Sequence, residues 1–197
     1  MVSLSLLIVL IIVVIAVLGV WLSRSSTPSA QPDTSSRLRQ PSLFDLLIGD
    51  IVQYDGRDWV VEGKLFYDDE GFTWLEYMLQ DGDDIRWLSV EEDDLVEVAL
   101  SHPVSSLDIN TLPPPQELEF EGDTYQCVES GSAQMRREGN LRRPNLERCR
   151  YYDYEGSDSK ILAVEDWDGD IEITAGKIIR PNSLILLPGE GRSVYRQ

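Results

Sequence analysis

What most constrains this chain is the stretch from Gly49 to Val98, where short apolar runs alternate with Asp- and Gly-containing turns and a degraded second copy follows. Tyr54-Asp55-Gly56-Arg57-Asp58-Trp59 aligns with Phe120-Glu121-Gly122-Asp123-Thr124-Tyr125 at an offset of 66 residues. Further on, Tyr77, Gly82, Leu88, Val90, Glu91 and Asp94 fall on Tyr151, Gly156, Leu162, Val164, Glu165 and Asp168 at an offset of 74, so the second copy carries an insertion. A repeat of this kind marks one supersecondary unit used twice.

The unit is built of strands. Ile51 to Tyr54 and Trp59 to Glu62 flank Asp55-Gly56, a dipeptide that closes hairpins because both residues tolerate positive φ. Phe72 to Gln80 is an aromatic and aliphatic strand ending at Asp81-Gly82, and Ile85 to Val90 with Leu95 to Leu100 make another hairpin. The second copy repeats the order through Leu118–Phe120, Tyr125–Val128, Arg148–Tyr154, Lys160–Val164 and Ile171–Thr174, with Leu184–Leu187 as a last strand. The predicted class is mainly β: two tandem, degenerate antiparallel β-meander or small-barrel repeats. A domain of about 60 residues buries only about 60% of its unfolded surface, so the copies are expected to share an interface or a sheet.

Around the repeats, Val2 to Leu22 carries no charge over 21 residues and would span about 30 Å as a helix, so residues 1–22 are predicted to be one transmembrane anchor. Residues 23–42 form a Ser/Pro linker and 43–100 the first repeat, opened by a short helix over Leu43–Leu47 with Ser42 as its cap. A linker over 101–116, containing three consecutive prolines, leads to the second repeat at 117–188 with its basic insertion, and 189–197 is a loose tail. Arg24, Arg37 and Arg39 follow the apolar run and nothing basic precedes it, which predicts a single-pass protein with its β part on the cytoplasmic side.

Charge and cysteine narrow the chemistry. The chain carries 35 acidic against 17 basic residues, a net charge of −18, which disfavours nucleic acid and anionic lipid headgroups. Cys127 and Cys149 align on or near apolar positions of the first copy and are expected to be free thiols; a lumen-facing domain would instead pair them. His102 is the only histidine and there is no C-x-x-C, so no zinc site, histidine base or cofactor is expected.

The string Leu47-Ile48-Gly49-Asp50, Tyr54-x-Gly56, Trp59-x-Val61-x-Gly63, Trp74-x-Glu76-Tyr77-x-Leu79 and Trp87-Leu88-Ser89-Val90-Glu91 resembles the bacterial family known as domain of unknown function 4178. The resemblance covers residues 47–98; the second copy lacks counterparts of Trp74, Glu76 and Trp87. With its anchor the chain looks like the cyanobacterial members, which implies the cytoplasmic face of a plasma or thylakoid membrane. The family carries no established activity, so the resemblance implies fold and setting only.

Two constellations are candidates for partner binding. Trp74, Glu76, Tyr77 and Trp87 place a carboxylate among aromatics, the side chains that dominate binding hot spots. Arg136, Arg137, Arg142 and Arg143 in the insertion are a basic patch in an acidic chain, suited to carboxylate or phosphate contacts. Asp166-x-Asp168-Gly169-Asp170-x-Glu172 lacks the glycine and glutamate spacing of a calcium loop and is expected to be a tight Asp168-Gly169 turn. No nucleophile, P-loop or dinucleotide motif is present. The expected function is therefore a membrane-anchored binding or assembly module that docks proteins of a membrane complex, with no catalysis of its own. The alternative is a divalent-metal-dependent enzyme or cation-binding domain using surface carboxylates.

Overall fold

The computed structural model of the chain describes residues 39–139, 141 and 146–195. Eleven strands run through them: β1 (Ile51–Tyr54), β2 (Arg57–Asp69), β3 (Phe72–Asp81), β4 (Asp84–Glu92), β5 (Val96–Pro103), β6 (Glu117–Phe120), β7 (Asp123–Gly139), β8 (Arg148–Glu155), β9 (Lys160–Trp167), β10 (Asp170–Ile179) and β11 (Ile185–Leu187). Single 3-10 turns at Ser157–Ser159 and Pro181–Ser183 connect β8 to β9 and β10 to β11. Leu43–Leu47 forms a turn in place of the expected helix, with the Asp45 amide donating to the Ser42 carbonyl at 3.2 Å.

All pairings are antiparallel, and the sheet order β2-β3-β4-β5-β10-β9-β8-β7 returns to β2, which closes an eight-stranded barrel. Strand β2 is long enough to be used twice along one edge. Its first residues pair with β1, from Arg57↔Tyr54 to Val60↔Ile51, and its later ones with β7, from Gly63↔Gly139 to Asp68↔Gln134. Strand β7 does the same, pairing with β6 and then with β2 along one edge. Strand β11 covers the outer edge of β1 through Ile51↔Leu187 and Gln53↔Ile185.

Two expectations are corrected by this arrangement. The halves are not two tandem repeats; they are fused into one barrel by the long-range seams β2–β7 and β5–β10, each half supplying four strands of the ring. Closure removes free edges that two half-sheets would leave open. A single-pass membrane protein is not supported, because among the described residues no helix is long and apolar enough to cross a membrane. The predicted anchor at residues 2–22 and most of the linker lie outside the described residues, so neither the membrane association nor the cytoplasmic orientation carries over.

Strand pairing also corrects the repeat register. Leu88 and Leu162 hold equivalent positions, but Tyr77 lies opposite Leu88 whereas Tyr154 lies opposite Leu162, so Tyr154 rather than Tyr151 is the counterpart of Tyr77. At the β5–β10 seam the equivalence is regular. Leu100 pairs with Lys177 and His102 with Ala175, two contacts that exchange under a local two-fold through the Ser101↔Gly176 pair. A Cβ on Gly176 would lie 2.2 Å from the Leu100 carbonyl oxygen, so the close approach of the seam strands depends on glycine there.

Alternation along the strands separates two faces. Leu65, Tyr67, Met78, Trp87, Ala133, Met135, Cys149, Tyr151 and Trp167 converge inside the ring. Outside it, one apolar layer gathers Val52, Trp59, Val61, Tyr77, Leu79, Leu88 and Leu184, and a second gathers Phe120, Tyr125, Tyr154, Leu162, Val164 and Ile173. Residues 189–195 are not loose. A bulge after Val61 leaves Glu62 as the extra, buried residue, which accepts from the Val194 and Tyr195 amides at 2.7 and 3.1 Å, while Asp50 accepts from the Gly189 amide at 2.8 Å.

Candidate binding groove at the β5–β10 seam

On the outside of the barrel a groove of about 430 Å³ crosses the β5–β10 seam. Its walls are the two equivalent hairpins, Tyr54, Asp55, Arg57 and Trp59 on one side and Phe120, Glu121, Asp123 and Tyr125 on the other. Its floor is Arg86 on β4, Leu100 and His102 on β5, Ala175, Gly176 and Lys177 on β10, and Lys160 on β9. The turn geometry that places the walls is set locally: Asp55, Gly56, Glu121 and Gly122 all have positive φ, as the turns demand.

The groove gathers positive charge in an acidic chain. Arg57 is committed outward, donating to Asp81 at 2.6 and 2.9 Å and to Asp84 at 2.8 Å, with its guanidinium 4.4 Å from the Trp59 ring centroid. Lys160 is paired with Asp123 across the groove. Arg86 lies over the other reach of Trp59 at 5.4 Å and donates to a backbone carbonyl, and among the described residues neither Arg86 nor Lys177 has an ion pair. Burial, then the nearby Arg86 charge, hold the His102 imidazole below its ordinary pKa, opposed by Glu121. Trp59 is 3% exposed and its indole N–H, at the edge of the groove, has no hydrogen-bond partner among the described residues.

The predicted partner-binding residues lie elsewhere. Trp74, Glu76 and Trp87 face the barrel interior, where Trp74 stacks on Tyr67 at 4.7 Å with its ring plane within 1° and meets Tyr151 edge-on at 5.2 Å. Tyr77, on the same strand but the opposite face, is fully buried in the outer layer, so the four do not form one surface. Arg136 is exposed with its guanidinium 4.4 Å from the Phe66 ring centroid, and Arg137 donates to the Leu141 carbonyl at 3.3 Å. Arg142 and Arg143 lie outside the described residues.

Carboxylates share the barrel interior with these aromatics. The Tyr67 hydroxyl donates to Glu165 at 2.8 Å, and the Tyr151 hydroxyl donates to Asp69 at 2.9 Å. Burial, with Glu165, Glu129 and Glu91 nearby, pushes the Asp153 carboxyl up to about 7. Among the described residues no group of three or more His, Cys, Asp or Glu side chains is arranged to hold a metal ion. At the β9–β10 turn, Asp166 accepts from the Gly169 amide at 2.7 Å and pairs with Arg150. Both cysteines are free thiols.

Sequence reasoning missed the groove because its residues were used up as hairpin signatures and strand alternation. A signal was available: Arg86, His102, Lys160 and Lys177 are basic residues at strand positions in a chain whose other strand surfaces are mostly acidic.

Fold and groove together define a closed eight-stranded antiparallel barrel with an external, two-fold-related cleft. The chain belongs to the family described as domain of unknown function (DUF4178), whose family model matches residues 47–181. That span takes in every strand from β1 to β10, so the family's unit is the whole barrel rather than the first copy alone. Uncharacterized proteins of Mycobacterium bovis and Mycobacterium tuberculosis are 33% identical to it over 195 residues, covering 91% of this chain and 92% of theirs. These relatives are mycobacterial, and none supports the cyanobacterial setting expected from the sequence. No solved structure matches the chain.

Proposed function

We propose that this protein is a docking module that holds an acidic segment of a partner protein in the seam groove and performs no chemistry of its own. The observation that carries the reading is the groove itself. Its volume lies in the range of ligand clefts, its walls carry Tyr54, Trp59, Phe120 and Tyr125, and it collects basic side chains from four neighbouring strands of a strongly acidic chain. Aromatic walls supply contact area at low entropic cost, and the cations supply register and orientation for an acidic segment. The chain as a whole is strongly acidic, which disfavours non-specific contact with the same segment.

The test is affinity purification of the full-length protein, alongside an Arg86→Glu/Lys177→Glu variant and an Arg136→Glu control. A partner held by the parent and the control but lost by the double variant, at unchanged thermal midpoint, supports docking in the groove. Equal recovery with all three removes it.

A further inference from the structure

We propose that the floor of the seam groove is a seat for a compact oxyanion, a carboxylate or phosphate group, held by Arg86, His102 and Lys177 with Lys160 at its rim. This deepens the docking reading, on which it rests, by naming the group that the partner presents.

The local two-fold explains why cations converge there. Arg86 and Lys160 sit at equivalent places on β4 and β9, two residues before the equivalent Leu88 and Leu162. His102 and Lys177 exchange about the Ser101↔Gly176 pair in the same way. The fold therefore brings two copies of one basic pair to a single patch. Neighbouring strands are about 4.8 Å apart, and Arg86, His102, Lys177 and Lys160, on four successive strands, all line the one groove.

The arrangement is unfavourable when empty. Lys160 and Lys177 are directly opposite across β9 and β10, and like charges so placed repel. Lys160 turns to Asp123, which leaves Lys177 and Arg86 with no carboxylate partner among the described residues. Acidic side chains are abundant in this chain, yet Asp55 and Glu121, the remaining acids of the groove, stand exposed at the tips of the walls. An oxyanion on the floor would satisfy both free cations and relieve the Lys160–Lys177 repulsion at once. The flanking Trp59, Tyr54, Phe120 and Tyr125 supply apolar walls beside the seat. The barrel interior lacks this character, because it is lined by carboxylates.

His102 couples the seat to protons. The groups that face it are Arg86 on β4, Lys177 on β10, Lys160 on β9, Asp55 and Arg57 from one wall, and Glu121 and Asp123 from the other. With the seat empty, burial and Arg86 disfavour the imidazolium. A bound anion favours it, so occupancy raises the proton affinity of His102, and by linkage the anion binds more tightly as pH falls through the interval between the empty and occupied pKa values.

Because His102 is the only histidine in the chain, its ring proton resonances report on this site alone. The experiment follows those resonances in the full-length protein during titration with sodium phosphate or sodium acetate, with sodium chloride holding ionic strength constant. The seat predicts a saturable shift with phosphate, acetate or both, and a rise of about one unit in the His102 pKa at saturation, a tenfold change in proton affinity. Response to phosphate alone assigns a phosphate group; response to both shows that a carboxylate suffices. Lys177→Gln, an exposed position that leaves the fold intact, is expected to abolish saturation. No saturable shift with either anion, or an undiminished one in Lys177→Gln, overturns the seat. The two proposals fail separately. An unresponsive His102 with partner capture still lost on charge reversal removes the seat and leaves docking, while a responsive His102 with capture unaffected removes docking.

Discussion

Replacing Asp153 by Asn is expected to stabilise the protein at alkaline pH and to leave it nearly unchanged in acid. Asp153 faces the barrel interior on β8, beside Glu129 across β7 and near Glu165 and Glu91, with no cation contributing to its environment. Its carboxyl is pushed from 3.8 to about 7, first by burial and then by those three carboxylates. The sign follows from linkage. The folded state holds the Asp153 proton to higher pH than the unfolded chain does, so stability is lost as pH rises from about 4 to about 7 and stays lost above that. At roughly 1.4 kcal/mol per pH unit, a shift of about three units costs on the order of 4 kcal/mol above pH 8, of which about 3 kcal/mol is lost between pH 5 and pH 8. Asn keeps the shape, removes the charge and donates to the neighbouring carboxylates. Urea denaturation of the parent and Asp153→Asn at pH 5 and pH 8 measures the difference directly. The parent should weaken over this interval by about 3 kcal/mol more than the variant. Parallel pH dependences, or a variant less stable than the parent at pH 8, would refute the placement of Asp153 among interior carboxylates.

Two further substitutions probe the architecture. A Cβ on Gly189 would lie 1.6 Å from the Gly49 carbonyl oxygen, so Gly189→Ala should detach residues 189–195 from Asp50 and Glu62, lower stability by about 2–4 kcal/mol and speed tryptic cleavage after Arg192. Leu88→Ala and Leu162→Ala remove equivalent buried side chains from the two halves, each at a cost of about 3–5 kcal/mol. In one barrel both variants shift the same single unfolding transition, whereas two transitions, each moved by one variant, would mean two independent domains.

Much of the fold was legible because its signals are local. Asp55-Gly56 and Asp168-Gly169 announced their hairpins through the positive φ they adopt, and alternation along Phe72–Gln80 separated the faces that now line the interior and the outer layer. Closure was not legible, since the seams β2–β7 and β5–β10 join residues with no sequence-local bond between them, and nothing in Phe66 or Arg136 foretells that they pair. The one-residue bulge at Glu62 and the register change around Tyr154 are invisible to an alignment of side-chain types for the same reason. The candidate site went unseen because tryptophans drew attention to β3 and β4, where Trp74 and Trp87 serve the interior, while the groove depends on the modest residues Arg86, His102 and Lys177 that only the seam brings together.

Docking in the seam groove is tested most directly by photo-crosslinking in the native host, with a photoreactive amino acid substituted at Lys177 in one strain and at Arg136 in another. Adduct formation from position 177 with one discrete protein, through an acidic segment of it and with no such adduct from position 136, is the predicted result. A discrete adduct from position 136 with none from position 177 would contradict the groove as the docking surface.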